Sequence, residues 1–153
     1  MRCLCNRLEA RAYAHATEDL DKVLRAVRNL VDGSLVITRL KGHYGNEIDV
    51  VTAEVRGCEA TKALAYILKM LDELDFNIFI NSLTIHKNKI YIRINKQSAF
   101  LNIIRLGEGD DVILIEASVS VKDANELIAM LRDLRGGPRT AEGGGRQNRG
   151  PSG

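Results

Sequence analysis

"SLVITRLKGHYGNEIDVVTAEVR", residues 34–56, decides the fold, because two runs typical of strands flank a short segment with two glycines. The runs are residues 34–41 and 48–56. Gly42 and Gly45 allow the backbone between them to turn sharply. The stretch therefore predicts an antiparallel hairpin with GHYGN at its tip.

Three further runs predict more strands of the same sheet. Residues 8–15 alternate between two faces, with alanines on one and Glu9, Arg11, Tyr13 and His15 on the other. Residues 90–95 alternate in the same way, and DDVILIEASV at 110–119 supplies another strand. The segment FNIFINSLTIH at 76–86 stays open, since its isoleucines favour a strand and its position after a helix allows a helical continuation.

Three segments predict helices, each with one apolar face. The first follows Thr17, which is placed to cap it, and ends before Gly33. The second covers about residues 59–75, and the third starts after Ser120 and ends at Gly136. One-sided helices need a sheet to cover, so the predicted fold class is α+β, with three helices packed on one face of a mainly antiparallel sheet. The opposite face is then available for a ligand.

The distribution of charge separates a domain from a tail. Of 22 basic and 20 acidic residues, the Gly/Arg-rich stretch 136–153 holds three arginines and one glutamate, so residues 1–135 carry 19 of each sign. We expect one folded domain over 1–135 and a disordered tail over 136–153 that acts as a non-specific RNA-binding arm or has no function. No apolar run is long enough to span a membrane, which predicts a soluble, cytoplasmic protein.

Cys3, Cys5 and Cys58 cannot all pair within one chain, and a reducing cytoplasm would keep them as thiols. We expect Cys58 to be a small buried residue and the thiols near the N-terminus to be free. A metal site is disfavoured because the spacing of cysteines and histidines fits no ligand pattern. No cofactor-binding motif appears.

Catalysis has little support in the sequence. Motifs of hydrolases, zinc proteases, phosphate loops and dinucleotide sites are missing from the sequence. The carboxylates of GEGDD, residues 107–111, could hold Mg²⁺, but a hairpin turn explains them more directly. His43 has no neighbouring carboxylate in sequence to orient it as a base. The sequence predicts a protein that is not an enzyme.

The hairpin tip offers groups that bind RNA. Lys41 could meet a phosphate, His43 or Tyr44 could stack on a base, and Asn46 could hydrogen-bond a base edge or ribose. Alternatively, the tip is an ordinary loop in which Tyr44 packs against the sheet edge and Lys41 protects that edge. These residues alone leave both interpretations open.

Three motifs resemble the landmarks of an archaeal family of small RNA-binding proteins proposed as exosome subunits. They are AHATED at 14–19, LKGHYGNEI at 40–48 and YIRINKQSAFL at 91–101, in the family's order. The resemblance covers about residues 7–135. It implies a ribosomal-protein-like α+β fold, related to the large-subunit protein that contacts 5S RNA.

The resemblance also implies site residues. It points to one RNA-binding patch of Lys41, His43, Tyr44 and Asn46, and to a second patch of Arg93, Lys96 and Gln97. The chain departs from the family at Glu47, where the family often has proline, and at Asn95 and Ser98 in the third motif. Glu47 adds a negative charge beside the loop.

The predicted function is therefore a non-catalytic RNA-binding protein, with RNA and, by resemblance, exosome subunits as partners. The alternative is a protein-interaction or regulatory module whose exposed sheet face pairs with another subunit or with itself. The sequence leaves open whether the protein forms a homo-oligomer.

Overall fold

A computed structural model describes residues 3–41 and 47–136 of the chain. In these residues five strands and five helices follow one another as β1 Cys5–Ala14, α1 Leu20–Leu30, β2 Ser34–Lys41, β3 Glu47–Arg56, α2 Cys58–Met70, α3 Glu73–Asn81, β4 Lys89–Asn95, α4 Lys96–Phe100, β5 Val112–Val119 and α5 Ala124–Arg135. The predicted α+β class is confirmed. The predicted helix count of three is wrong, because residues 3–41 and 47–136 already contain five.

The strands form one antiparallel sheet in the order β2-β3-β1-β5-β4. The predicted hairpin is confirmed, with β2 and β3 paired from Ser34 opposite Glu54 to Lys41 opposite Glu47. Its tip, residues 42–46, lies outside the described residues. The central strand is β1, and Ala10 and Ala12 are fully buried in the core. Small side chains at these positions let α1 and α2 pack closely on the sheet.

The first helix starts later than Thr17 predicts. Asp19 is its N-cap, and the carboxylate of Asp19 accepts a hydrogen bond from the Asp21 N–H at 3.0 Å. Aspartate is among the strongest N-cap residues, which explains the start at Leu20. The predicted cap at Thr17 is therefore wrong.

The predicted second helix, residues 59–75, is broken into α2 and α3. Leu71 has an extended backbone, and Asp72 caps α3 by accepting a hydrogen bond from the Asp75 N–H at 2.7 Å. The Arg135 guanidinium donates to the Leu71 carbonyl at 2.7 Å, which satisfies a carbonyl that the end of α2 leaves free. The ambiguous segment 76–86 is helical up to Asn81.

The structure corrects the prediction for the cysteines. Cys3 and Cys58 form a disulfide with their Cα atoms 5.4 Å apart, and Cys58 is exposed rather than buried. The start of β1 lies beside α2, where the Cys5 N–H donates to the Thr61 hydroxyl oxygen at 3.0 Å. This contact brings together cysteines that are 55 residues apart in sequence. Cys5 is the buried free thiol, and burial raises its pKa.

Within residues 3–41 and 47–136, no group of three or more His, Cys, Asp or Glu side chains could hold a metal ion. The longest helix described there, α2, has 13 residues, and none of these helices is long and apolar enough to cross a bilayer.

Candidate nucleic-acid interface

The helices cover one face of the sheet, here called the helix side, and leave the other face open. Along β1, the buried residues Ala10 and Ala12 alternate with Arg11 and Tyr13, which are exposed. Cross-strand partners share a face, so the register extends this open face across the sheet. Its side chains include Val36, Thr38, Leu40, Ile48, Val50, Thr52, Glu54, Arg56, Arg7, Glu9, Arg11, Tyr13, Val112, Leu114, Glu116, Lys89, Tyr91 and Arg93.

One end of the open face carries three glutamates in a row. Glu9 on β1 lies opposite both Glu54 on β3 and Glu116 on β5. Like charges in adjacent strands destabilise a sheet unless cations offset them. Arg7 contacts all three carboxylates, at 3.2 Å for Glu9 and Glu116 and through a shorter hydrogen bond to Glu54. That last hydrogen bond lowers the pKa of Glu54 and raises the pKa of Arg7.

Further cations complete this charge network. Arg11 contacts Glu9 at 3.1 Å, Arg56 contacts Glu54 at 3.1 Å, and Lys89 contacts Glu116 at 3.2 Å. Because each carboxylate already has a cation, this end of the open face offers little net positive charge to a phosphate.

The other end of the open face contains a pocket of about 240 Å³, here called the tyrosine pocket. Arg11 and Arg93 flank Leu114 across three strands. Tyr13 stands at its edge with 42% of its surface exposed. The full lining is Arg11, Tyr13, His15, Arg93, Gly109, Asp110, Val112 and Leu114.

The tyrosine pocket combines the groups that single-stranded nucleic acid needs. An exposed aromatic ring can stack on any base, and guanidinium groups pair with phosphates or stack on bases in turn. Arg93 contacts the protein only weakly, through the Gly109 carbonyl at 3.4 Å, which leaves most of its donors free among the described residues. Asp110 is the one acidic side chain in the lining.

Lys96 lies in the interior rather than at the surface. Its side chain is 3% exposed, and its ammonium donates to the Tyr13 carbonyl at 2.8 Å. It also pairs with Glu18 at 2.9 Å and with Asp111 at 3.3 Å. Lys96 thus fixes the backbone at Tyr13, and its charge is not available to a ligand on the surface of this structure.

The remaining predicted residues fall in different places. Gln97 is exposed and donates to Asp111 at 3.3 Å. Lys41 ends β2 opposite Glu47. Its side chain lies on the helix side, as that of Ile37 does, because the two residues are four apart on the same strand. His43, Tyr44 and Asn46 lie outside the described residues. The strands β2 and β4 are the two sheet edges, so Lys41 and Arg93 are four strand spacings, or about 19 Å, apart across the sheet.

Arg11 and Tyr13 are absent from the predicted site. The signal for them was present, because the alternation in residues 8–15 places both on the face opposite the alanines. The alternation does not predict that Arg93 lies near them. That depends on the pairing of β1 with β5 and of β5 with β4.

A larger cavity, of about 760 Å³, lies where α1 and α2 meet the end of the hairpin. It is lined by three cations, Arg28, Arg56 and Lys62, and by three carboxylates, Asp32, Glu54 and Glu59. Because these charges balance, the cavity has no evident preference for phosphate, and the tyrosine pocket is the better candidate.

Comparison with known proteins identifies the family of this chain. Residues 7–119, which include all five strands except the first two residues of β1, match the protein family described as RNA binding. The chain belongs to this RNA-binding family. A relative described as an RNA-binding protein, from Pyrococcus abyssi, is 29% identical over 125 residues, which cover 74% of this chain and 81% of the relative. An uncharacterized protein of Methanocaldococcus jannaschii is 33% identical over 121 residues, covering 72% of this chain and 81% of that protein.

Solved structures share the fold of this RNA-binding family member. A DUF54 family protein of Sulfolobus solfataricus superposes with a TM-score of 0.72 at 23% identity, covering 86% of this chain and 98% of that one. A DUF54 protein of Methanothermobacter thermautotrophicus gives a TM-score of 0.68 at 20% identity, covering 86% and 98%. The sheet and its helical layer are therefore found in these experimental structures.

Proposed function

We propose that this protein binds single-stranded RNA, without catalysing a reaction, through the tyrosine pocket on the open face of its sheet. The observation that carries the proposal is the meeting of Tyr13 with Arg11 and Arg93 on a face that no helix covers. A ring can stack only on a base that is not already stacked in a duplex, so loops, bulges and single-stranded ends fit the site better than helical RNA.

The charge network limits where the phosphates of bound RNA can lie. Its cations are already paired with three glutamates, so a phosphate near this end of the face would find carboxylates and no unpaired cation among the described contacts. Phosphates are therefore expected near Arg93 and His15 rather than near Glu9 and Glu116. Residues 1–135 carry 19 charges of each sign, so we expect binding through such a local patch rather than through an overall positive field.

The hairpin tip supplies a second contact in this proposal. Its residues in this proposal are Lys41, His43, Tyr44 and Asn46. Lys41 ends β2 about 19 Å across the sheet from Arg93, so one strand of RNA would have to cross the sheet and pass its β2 edge to contact both Lys41 and Arg93. Gln97 belongs beside the tyrosine pocket, and Lys96 acts as a positioning residue. The arginines of residues 137–153 add contacts that do not discriminate among RNAs.

Association with the exosome is the finer proposal, and its support is the resemblance of the three sequence motifs. A protein partner is the rival function for the same open face, favoured by its neutral charge and by the exposed side chains of Val36 and Leu40.

Titration of fluorescent oligonucleotides with the full-length chain at several salt concentrations tests the proposal. Single-stranded RNA should bind more tightly than a duplex of the same length, and the affinity should fall steeply with salt because phosphate contacts release counterions. Equal binding of both forms, or affinity that does not change with salt, would favour the protein-partner function.

A further inference from the structure

The strand β2 forms a sheet edge that nothing in residues 3–41 and 47–136 pairs with on its outer side. The other edge strand, β4, has backbone hydrogen bonds on its outer side. The Asn95 N–H donates to the Arg105 carbonyl at 2.8 Å, and the Gly107 N–H donates to the Arg93 carbonyl at 2.9 Å. The end of β4 is thus covered by the chain itself, whereas β2 is available for pairing along its whole length in the described residues.

Over its first five residues the strand lacks the features that usually protect an exposed edge, and its two charged residues, Arg39 and Lys41, lie near its end. Soluble proteins block edges with proline, bulges, short strands or charged residues. The strand runs for eight residues without proline or glycine and pairs with β3 without a register shift. Its first five residues carry no charge. Arg39 is charged but is held by Asp49 of the same hairpin at 2.9 Å.

Large apolar side chains are exposed on both sides of β2. Val36 and Leu40, on the open face, are 57% and 48% exposed, and Ile37, on the helix side, is 45% exposed. The helices α1 and α2 pack on β1 and β3, so the helical layer covers little of β2 beyond Leu35. A neighbouring strand with its own side chains would shield all three residues at once.

From this edge we infer that β2 pairs antiparallel with β2 of a second copy of the chain. A twofold axis can pass beside Val36 or beside Ile37, and either register keeps the two Arg39 side chains apart. In the first register Leu35 faces Ile37 of the second copy, and in the second Arg39 faces Leu35. The two Arg39 side chains are then six or four residues apart along the strands, about 14–20 Å, which exceeds the screening length of about 8 Å.

Antiparallel pairing also joins unlike ends of the strand. Asp32 precedes β2, and Arg39 and Lys41 lie at its end, so the acidic start of one copy lies near the basic end of the other. A parallel arrangement would place the cations of both copies together. The second copy is thus a partner whose charge pattern matches the edge.

The dimer would have one continuous sheet with both open faces on the same side, and two tyrosine pockets on one surface. Its existence does not depend on RNA binding, because no residue of the tyrosine pocket belongs to β2. A monomeric variant that still binds RNA would leave the proposed function intact.

Sedimentation of the full-length chain over a range of concentrations tests this inference. We expect a species at twice the chain mass of 17.0 kDa that dissociates on dilution. Val36→Lys and Ile37→Lys, one on each side of the strand, should shift the chain to monomer by placing a desolvated ammonium at the interface. Ile78→Lys is the matched control, since Ile78 on α3 is equally exposed at 48% and should leave the dimer unchanged.

Hydrogen exchange of the unaltered chain gives a second readout that needs no variant. The outward amides of β2 should become protected as concentration rises, whereas those of the loop after α3 should not. A chain that stays monomeric at all concentrations, or a dimer that both lysine variants retain, would overturn the inference.

Discussion

Tyr13 contributes to the proposed site in two ways. Its ring is exposed on the open face, and its carbonyl accepts a hydrogen bond from the buried Lys96 ammonium at 2.8 Å. The ring is therefore carried by a backbone that is held in place, which reduces the entropy lost when a base stacks on it.

Replacing Tyr13 with alanine should weaken the binding of single-stranded RNA by about 1–3 kcal/mol, the usual loss for one stacking platform. Tyr66→Ala is the matched control, because Tyr66 is 40% exposed but lies on α2, on the helix side. Fluorescence anisotropy with the same oligonucleotide measures both. A loss confined to Tyr66→Ala would place RNA at the larger cavity and contradict the assignment.

Lys96→Met should lower the free energy of unfolding by about 1–3 kcal/mol, because it removes a buried ammonium that donates to the Tyr13 carbonyl and pairs with two carboxylates. Glu18 and Asp111 keep some contact with water, at 24% and 54% exposure, which limits the loss. Lys62→Met, in a largely exposed pair with Glu59, should change stability by less than about 0.5 kcal/mol. Urea denaturation decides: unchanged stability with weaker RNA binding would make Lys96 a direct contact.

Glu54 should give the stability of the protein a defined pH dependence. Its pKa is lowered by the hydrogen bond from Arg7, so the native state holds the proton less tightly than the unfolded chain does. The resulting stabilisation is complete above the unfolded pKa of about 4.3 and is lost as the pH falls through the lower native value. The stability difference between the parent and Glu54→Gln should therefore shrink on acidification.

The same measurement on Glu59→Gln provides the control, since Glu59 is 70% exposed in a surface pair. Thermal melting at a series of pH values follows both variants. A difference for Glu54→Gln that stays constant through the acidic range would mean that its ion pair with Arg7 does not stabilise the fold.

At the scale of elements, the disulfide joins Cys3, two residues before β1, to Cys58 at the start of α2. It closes a loop between residues 55 apart, so its reduction should cost about 2–4 kcal/mol of stability through the freedom that the unfolded chain regains. Cys58→Ser should melt as low as the reduced parent, and a reductant should not lower it further. Identical melting of oxidised and reduced parent would show that the bond does not form in solution or does not stabilise.

The elements also show what periodicity predicts. The hairpin and β1 follow from alternation and turn residues, which act over a few neighbours. The break between α2 and α3 does not, since Leu71 and Leu74 continue the apolar stripe while Asp72 starts a new helix. The helix α4 has five residues, too few for a period, and depends on Asn95, which caps it by accepting from the Ser98 N–H at 2.9 Å.

Only some residues of the candidate site could be predicted from the sequence. The resemblance points to Arg93, and the alternation of residues 8–15 places Arg11 and Tyr13 on the face opposite the alanines. The burial of Lys96 could not be predicted, because it depends on Tyr13, 83 residues away in sequence, and on Glu18, 78 residues away. A sequence motif identifies a lysine, but tertiary contacts decide whether its ammonium group is exposed at the surface.

For the molecule as a whole, the central claim is that RNA lies on the open face of the sheet. Photo-crosslinking of the full-length chain to single-stranded 4-thiouridine RNA, followed by mapping of the attached peptides, tests it most directly. We expect adducts on peptides with Tyr13 and Tyr91, both on the open face and 42% and 40% exposed, and on the hairpin tip. Adducts confined to the helix side around Tyr66, or to residues 137–153 alone, would contradict it.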